Sequence, residues 1–270
     1  MPDNVETIEQ PIRVVMFGGG PELTHDAKEF LYRLEMHPEI ELRGAICQTE
    51  SHSWRAIFRD LWNRRGILAF PLFVSLIITG ISRYLENPQK ENALRKKIEE
   101  ISGKIHNVKN IHSQEVKNLV HSLEPELGLI YGSPILKPEL FEIPRFGTLG
   151  IHHGKVPAYR GNKTTFWALY NGEPVAGVTI QKVNAGLDTG SIVKEGEVPV
   201  DRRSYADVWC DLEALGLELY IQAILDVKNG TASYRPQPEE KGNLYRNPKL
   251  KDYFAFWVKQ VAKSCSKTST

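Results

Sequence analysis

Short apolar runs alternate with longer amphipathic segments along most of this chain. The predicted strands are Ile12–Phe17, Glu41–Cys47, Lys104–Val108, Gly128–Tyr131, Thr148–Ile151 and Val178–Val183. Helices are expected between or after them, near Glu29–Leu31, Ser113–Leu123, Lys163–Tyr170 and Tyr205–Val227. Such alternation is typical of parallel strands joined by right-handed helical crossovers. We therefore predict an α/β fold with a doubly wound, mostly parallel, Rossmann-like sheet.

The alternation of predicted strands and helices divides the chain into a core, an insertion and a tail. Residues 1–230 are predicted to form one catalytic domain, within which 51–104 is a helical insertion or cap. After Gly230 the alternation ends, and 231–270 is predicted to be a polar, proline-containing tail with an amphipathic piece at Tyr253–Val261.

Composition excludes several classes of protein. The 270 residues carry a formal net charge of +1 with no strong basic stripe, which argues against a dedicated nucleic-acid binder. The three cysteines, Cys47, Cys210 and Cys265, have no metal-ligand spacing, so no metal site is predicted. Free cysteines and the absence of a secretory apolar stretch before Pro11 predict a cytoplasmic protein.

An uncharged segment, Gly66–Ser82, complicates the prediction of location. It is flanked by Arg64, Arg65 and Arg83, and it contains Pro71 and Gly80, which would interrupt a spanning helix. A buried core or interface helix is the preferred interpretation. Association with a membrane surface or a lipid-like acceptor is the less favoured alternative.

Two glycine-framed loops hold the candidate chemistry. His152 lies in the segment Gly150–Gly161, directly after a predicted strand, and Asp188 lies in the segment Gly186–Gly190. A histidine and a carboxylate at strand ends are the groups needed to move protons around a tetrahedral intermediate. The alternative roles are a hydrogen-bonded structural histidine and an aspartate that forms an Asx turn. Ligands of open α/β sheets bind outside the carboxyl ends of the strands, so we expect the two side chains to meet there.

Motifs in fixed order extend from Glu124 to Val193. The arrangement resembles the formyltransferase family that uses 10-formyltetrahydrofolate, which includes methionyl-tRNA, glycinamide-ribonucleotide and sugar-nucleotide formyltransferases. The matching positions are Pro125–Gly132, Ile135, Leu136, His152, Pro157, Tyr159–Gly161, Trp167–Leu169, Asn171–Glu173, Gly177–Ile180 and the loop of Asp188.

The resemblance implies roles for individual residues. His152 would stabilise the oxyanion of the intermediate, and Asp188 would orient His152 and relay protons. Two loops would form the walls of the folate pocket. Their residues are Tyr131, Gly132, Ser133, Ile135 and Leu136 in one, and Val183, Asn184 and Gly186 in the other.

The chain departs from the family pattern at Gly150. The family has an asparagine two residues before the histidine, and its amide helps to bind the oxyanion; glycine has no such donor. Loss of one oxyanion donor costs about 2.7–4 kcal/mol of transition-state stabilisation. His153, Asn162, the backbone N–H of Gly150 itself or a group on the substrate are the candidate replacements.

The predicted function is formyl transfer from 10-formyltetrahydrofolate to a primary amine of a small molecule, such as an amino sugar or a lipid-linked amine. The tail after Gly230 is too short for the C-terminal domain that the resemblance requires of a tRNA-modifying member. Two alternatives stay open: a 10-formyltetrahydrofolate hydrolase that releases formate, and an inactive binding protein, as Gly150 would suggest. The sequence does not determine the oligomeric state.

Overall fold

The computed structural model describes residues 10–19, 24–48, 88–201, 203–238 and 242–265. The uncharged segment 66–82 and residues 51–87 of the predicted insertion lie outside the described residues. The chain divides into two compact units, one comprising Pro11–Arg145 and the other beginning at Phe146. This division falls at a different place from the predicted boundary at residue 230.

The first unit contains four parallel strands in the order β3-β2-β1-β4. The strands are β1 (Ile12–Gly19), β2 (Ile40–Gln48), β3 (Ile105–Val108) and β4 (Leu127–Tyr131). Its helices are α1 (His25–Met36), α2 (Pro88–Glu100), α3 (Gln114–Ser122) and α4 (Pro138–Phe141), and a 3-10 turn spans Ser102–Lys104. The apolar run at residues 14–18 within β1 is buried, as expected for an interior parallel strand.

Helix starts in the first unit follow local capping chemistry. Thr24 precedes α1 and its hydroxyl accepts the N–H of Ala27 at 3.2 Å, while Ser113 caps α3 in the same way. These side chains satisfy N–H groups that have no partner within the helix. Over its described part, the predicted insertion 51–104 contains the charged helix α2 and the turn that leads into β3.

The second unit contains three antiparallel strands and a small parallel pair. The larger set, in the order β5-β7-β8, consists of β5 (Thr148–His152), β7 (Val175–Lys182) and β8 (Ile192–Pro199), and the pair consists of β6 (Tyr159–Gly161) and β9 (Asn243–Tyr245). Its helices are α5 (Thr164–Asn171), α6 (Tyr205–Lys228) and α7 (Leu250–Cys265).

Helix α6 supplies much of the core of this unit. Val208 and Leu212 of α6 pack with Val178 of β7 and Val198 of β8 in one buried cluster. The buried hydroxyl of Tyr220 also donates to the carbonyl of Leu149 in β5 at 2.8 Å. This packing fixes the strand that ends at His152.

The α/β class and the mostly parallel pairing are confirmed, with one correction in the second unit. Val178–Val183 was expected to be a parallel strand, but β7 runs antiparallel to both of its neighbours. Residues 183–191, which join β7 to β8, contain no helix and are too few for a parallel crossover.

The segment after Gly230, over its described residues, contains regular secondary structure. It contains β9 and α7, and Arg235 pairs with Ile192 through two backbone hydrogen bonds of 2.8 and 2.9 Å. Both interactions lie within the second unit. No helix in the described ranges is long and apolar enough to cross a membrane.

Candidate active site

His152 is the last residue of β5 and is 8% exposed. Its Nε2 lies 2.7 Å from the carbonyl oxygen of Tyr159. A carbonyl only accepts hydrogen bonds, so Nε2 must carry the proton. In the neutral ring, Nδ1 therefore keeps its lone pair and is the nitrogen that can take up a proton.

Gly154 makes this contact possible. A Cβ atom at this position would lie 2.5 Å from Nε2 of His152 and even closer to the carbonyl oxygen of Tyr159. The loop carbonyl of Gly154 is itself held by the hydroxyl of Thr179 on β7, at 2.8 Å. The glycine after the two histidines thus keeps space for the imidazole.

Asp188 lies in the loop between β7 and β8 with φ of +51°. Aspartate tolerates this left-handed conformation better than most residues. Its Oδ2 accepts a hydrogen bond from the backbone N–H of Gly161 at 2.8 Å, and its Oδ1 accepts one from Nε2 of Gln181 at 3.1 Å. The carboxylate is therefore fixed from two sides.

His152 and Asp188 face each other across a short gap. Nδ1 of His152 and Oδ1 of Asp188 are 3.5 Å apart, which is longer than an ordinary hydrogen bond. Burial lowers the pKa of His152 below 6.5, and the neighbouring His153 acts in the same direction; Asp188 and the Tyr159 carbonyl oppose the shift. A neutral imidazole with a free Nδ1 can act as a base at neutral pH.

The two side chains meet by a different route from the one predicted. Because β7 is antiparallel to β5, Lys182 at its end pairs with Leu149 near the start of β5. The carboxyl ends of these strands are therefore at opposite edges. The loop 183–191 folds back, with the N–H of Lys182 donating to the carbonyl of Ser191, and this return brings Asp188 to His152.

Sequence reasoning missed two glutamines beside Asp188. Gln181 is directly opposite Gly150 in the β5–β7 register and is 7% exposed. Gln237, in the segment after Gly230, donates through Nε2 to Oε1 of Gln181 and to the carbonyls of Asp188 and Gly190. A polar residue inside the apolar β7 run was a usable signal for Gln181, whereas Gln237 had no local signal.

The residues considered for the oxyanion are separated in the structure. Gly150 is buried within β5. His153 instead contacts α6, where Nε2 is 2.6 Å from Oε2 of Glu213 and the ring packs on Trp209 at 4.6 Å. Asn162 is exposed, and its backbone N–H donates to the carbonyl of Tyr245 at 2.9 Å. The role of each stays a prediction.

The first predicted folate loop belongs to the first unit and follows β4. Gly132 has φ of +62°, a left-handed conformation that suits glycine. Ile135 is 75% exposed and its carbonyl contacts Nε2 of His112 at 3.1 Å, while Leu136 is buried. Tyr131 ends β4, and Ser133 donates its hydroxyl to the carbonyl of Pro134.

The second predicted folate loop belongs to the second unit and follows β7. The N–H of Val183 donates to the carbonyl of Thr148 at 2.8 Å. Oδ1 of Asn184 accepts the N–H of Gly186 at 3.0 Å and the hydroxyl of Thr189 at 2.9 Å, which closes an Asx turn. The binding roles of both loops stay predictions. Among the described residues, no three His, Cys, Asp or Glu side chains are grouped as metal ligands.

Comparisons with known proteins point to one family. A family model described as formyl transferase matches residues 78–224. Methionyl-tRNA formyltransferase of Thermodesulfovibrio yellowstonii is 36% identical over 133 residues, which are 48% of this chain and 42% of that protein. The chain spans about half the length of the curated relatives it matches.

Solved structures are similar in fold. A sugar N-formyltransferase of Shewanella sp. aligns with a TM-score of 0.57 and 15% identity, covering 91% of this chain and 86% of that one. A formyltetrahydrofolate deformylase of Pseudomonas syringae pv. tomato aligns with a TM-score of 0.55 and 19% identity, covering 81% and 62%.

Proposed function

Because the chain belongs to the formyl transferase family, we propose that it transfers a formyl group from 10-formyltetrahydrofolate to a primary amine. The observation that carries the proposal is the buried His152, with Nε2 held by the Tyr159 carbonyl and Nδ1 facing Asp188 at 3.5 Å. This arrangement leaves a single ring nitrogen for proton transfer and sets a carboxylate beside it.

In the first step, the amine nitrogen attacks the formyl carbon. A new C–N bond forms, and the carbonyl electron pair moves onto the formyl oxygen. The attacking nitrogen then gives a proton to Nδ1 of His152, which is neutral because burial lowers its pKa. The imidazolium is stabilised by the carboxylate of Asp188, and its Nδ1–H also offers a donor to the oxyanion.

In the second step, the electron pair returns from the oxygen and the bond from carbon to the folate nitrogen breaks. His152 gives its proton to that nitrogen, so the folate nitrogen leaves as a neutral N–H group and His152 is ready for another cycle. The N–H of Gly161 and Nε2 of Gln181 donate to the side chain of Asp188 and fix the direction of its carboxyl group.

We propose a small-molecule amine as the acceptor, with an amino sugar as the first candidate. In support, the fold alignment with the sugar N-formyltransferase extends over 86% of that protein. The sequence match to methionyl-tRNA formyltransferase, which is a different kind of comparison, covers 42% of that enzyme. Methionyl-tRNA is the alternative acceptor, since the sequence relatives carry that name.

The experiment measures tetrahydrofolate release from 10-formyltetrahydrofolate with amino sugars, lipid-linked amines and methionyl-tRNA as acceptors. We expect His152→Ala and Asp188→Ala to lower kcat by about 100-fold to 10,000-fold, the range for lost acid–base catalysis. His121→Ala and Asp201→Ala, at exposed positions, are the controls and should turn over like the wild type. Equal activity in all five proteins would overturn the proposal.

Hydrolysis is the second candidate function, because the fold also aligns with a formyltetrahydrofolate deformylase. Water would then take the place of the amine, and formate would be released. Formate production without any amine, unchanged by adding amines, would favour this function. A wild type that neither transfers nor hydrolyses would favour the third alternative, an inactive binding protein.

A further inference from the structure

Asp188 is held by a chain of two amide side chains that begins in the segment after Gly230. Gln181 is almost fully buried, and its Nε2 donates to Oδ1 of Asp188 at 3.1 Å. This is the same oxygen that lies 3.5 Å from Nδ1 of His152. The direction in which Asp188 presents its carboxylate therefore depends on which way the Gln181 amide is turned.

Gln237 determines that direction. Its Nε2 lies 3.3 Å from Oε1 of Gln181, 3.1 Å from the carbonyl of Asp188 and 2.7 Å from the carbonyl of Gly190. All three partners are acceptors. If the Gln181 amide were reversed, its oxygen would face the Asp188 carboxylate and its NH₂ would face the donor of Gln237. Both contacts would be repulsive, so only one orientation is favourable.

The position of Gln237 is set by the backbone. Arg235, two residues earlier, pairs with Ile192 of β8 by N–H···O bonds in both directions. The segment that carries Gln237 is thereby attached to the strand that follows the Asp188 loop. From there, Nε2 of Gln237 donates hydrogen bonds to the carbonyls of Asp188 and Gly190 in that loop.

We infer that Gln237 is a positioning residue for the formyl transfer step, which acts through Gln181 and the backbone of Asp188 to keep Oδ1 directed at Nδ1 of His152. It does not touch the reacting atoms. The inference rests on the proposed function only where it concerns kcat. The role of Gln237 in directing Asp188 toward His152 does not depend on the reaction.

The test compares Gln237→Met with Gln237→Lys. Methionine keeps the length of the side chain and removes every donor. Lysine is one atom longer and offers three N–H donors to the three acceptors. Because a misplacement of about 1 Å in a catalytic group can cost about 100-fold, we expect kcat to fall at least about tenfold in Gln237→Met, with little change in KM for 10-formyltetrahydrofolate. Gln237→Lys should recover a large part of the loss.

Gln222 offers the matched control. It is exposed on α6, and its Nε2 donates to Oε1 of Glu218 in the preceding turn at 3.2 Å. Gln222→Met and Gln222→Lys should leave kcat unchanged. A Gln237→Met protein with wild-type kcat would overturn the inference. Equally low kcat in Gln237→Met and Gln237→Lys would also overturn it, since donors at this position would then fail to restore the site.

A second measurement is independent of turnover. Burial lowers the pKa of the His152 ring. Asp188 and the Tyr159 carbonyl raise it, and His153, which is paired with Glu213, lowers it. Releasing Asp188 should therefore move the midpoint of the His152 ring, followed by NMR, to lower pH in Gln237→Met. An unchanged midpoint would overturn the inference. If the wild type shows no activity with any acceptor, the proposed function fails, and this titration still decides the role of Gln237.

Discussion

The chemistry of His152 depends on which of its ring nitrogens carries the proton. The Tyr159 carbonyl assigns the proton to Nε2, and Gly154 is the residue that leaves room for this contact. One position of the imidazole is thereby selected before any substrate binds. Preorganisation of this kind removes a reorientation step from the reaction.

Gly154→Ala tests this selection. The added methyl would meet the imidazole at 2.5 Å, so His152 must turn away from the Tyr159 carbonyl. We expect kcat for tetrahydrofolate release to fall by about 10-fold to 100-fold. Gly103→Ala is the control, since a Cβ there has no neighbour within 4 Å, and it should retain wild-type kcat. Wild-type activity in Gly154→Ala would show that the contact is dispensable.

At the level of the elements, α6 holds the strand that ends at His152. Tyr220 is fully buried, and its hydroxyl donates to the carbonyl of Leu149, three residues before the histidine. The hydrogen bond therefore connects the helix layer to the backbone of β5. Loss of this hydrogen bond should therefore lower the free energy of unfolding.

Tyr220→Phe removes the hydroxyl and keeps the ring. A buried carbonyl that loses its donor costs about 1–3 kcal/mol, so the free energy of unfolding in urea should fall by that amount. Tyr234→Phe is the control: Tyr234 is 38% exposed, and the contact of its ring with Lys182 does not need the hydroxyl. A fall of the same size in both variants would contradict this assignment.

At the scale of the whole molecule, burial of a neutral histidine links stability to pH. The pKa of His152 is lowered in the folded protein, so below pH 6.5 the unfolded chain binds more protons at this residue than the folded one. The contribution of neutral His152 to stability is therefore complete above pH 6.5 and decreases as the pH falls below it.

The measurement is the difference in unfolding free energy between the wild type and His152→Gln at pH 7.5 and at pH 5. The other histidines are common to both proteins and cancel. We expect the wild type to lose more stability than His152→Gln on acidification, so that the difference moves in favour of the variant. A difference that moves toward the wild type would show that His152 is charged in the folded state.

The sequence by itself predicted strands β1 to β5 and β7, helices α1, α3, α5 and α6, the family, and His152 and Asp188 as candidates for the site. These features are encoded by residues that are close together in the sequence, through local periodicity and short motifs. The correspondence extends to α6, which was expected at Tyr205–Val227 and spans Tyr205–Lys228.

Only the tertiary structure decided how the site is assembled. The antiparallel direction of β7 depends on pairing with β5 and β8, and a local pattern does not encode it. For the same reason Gln237, from a segment predicted to be a tail, could not be assigned to the site in advance. Contacts between residues far apart in the chain are decided by packing, and the orientation of Asp188 toward His152 depends on such contacts with Gly161 and Gln237.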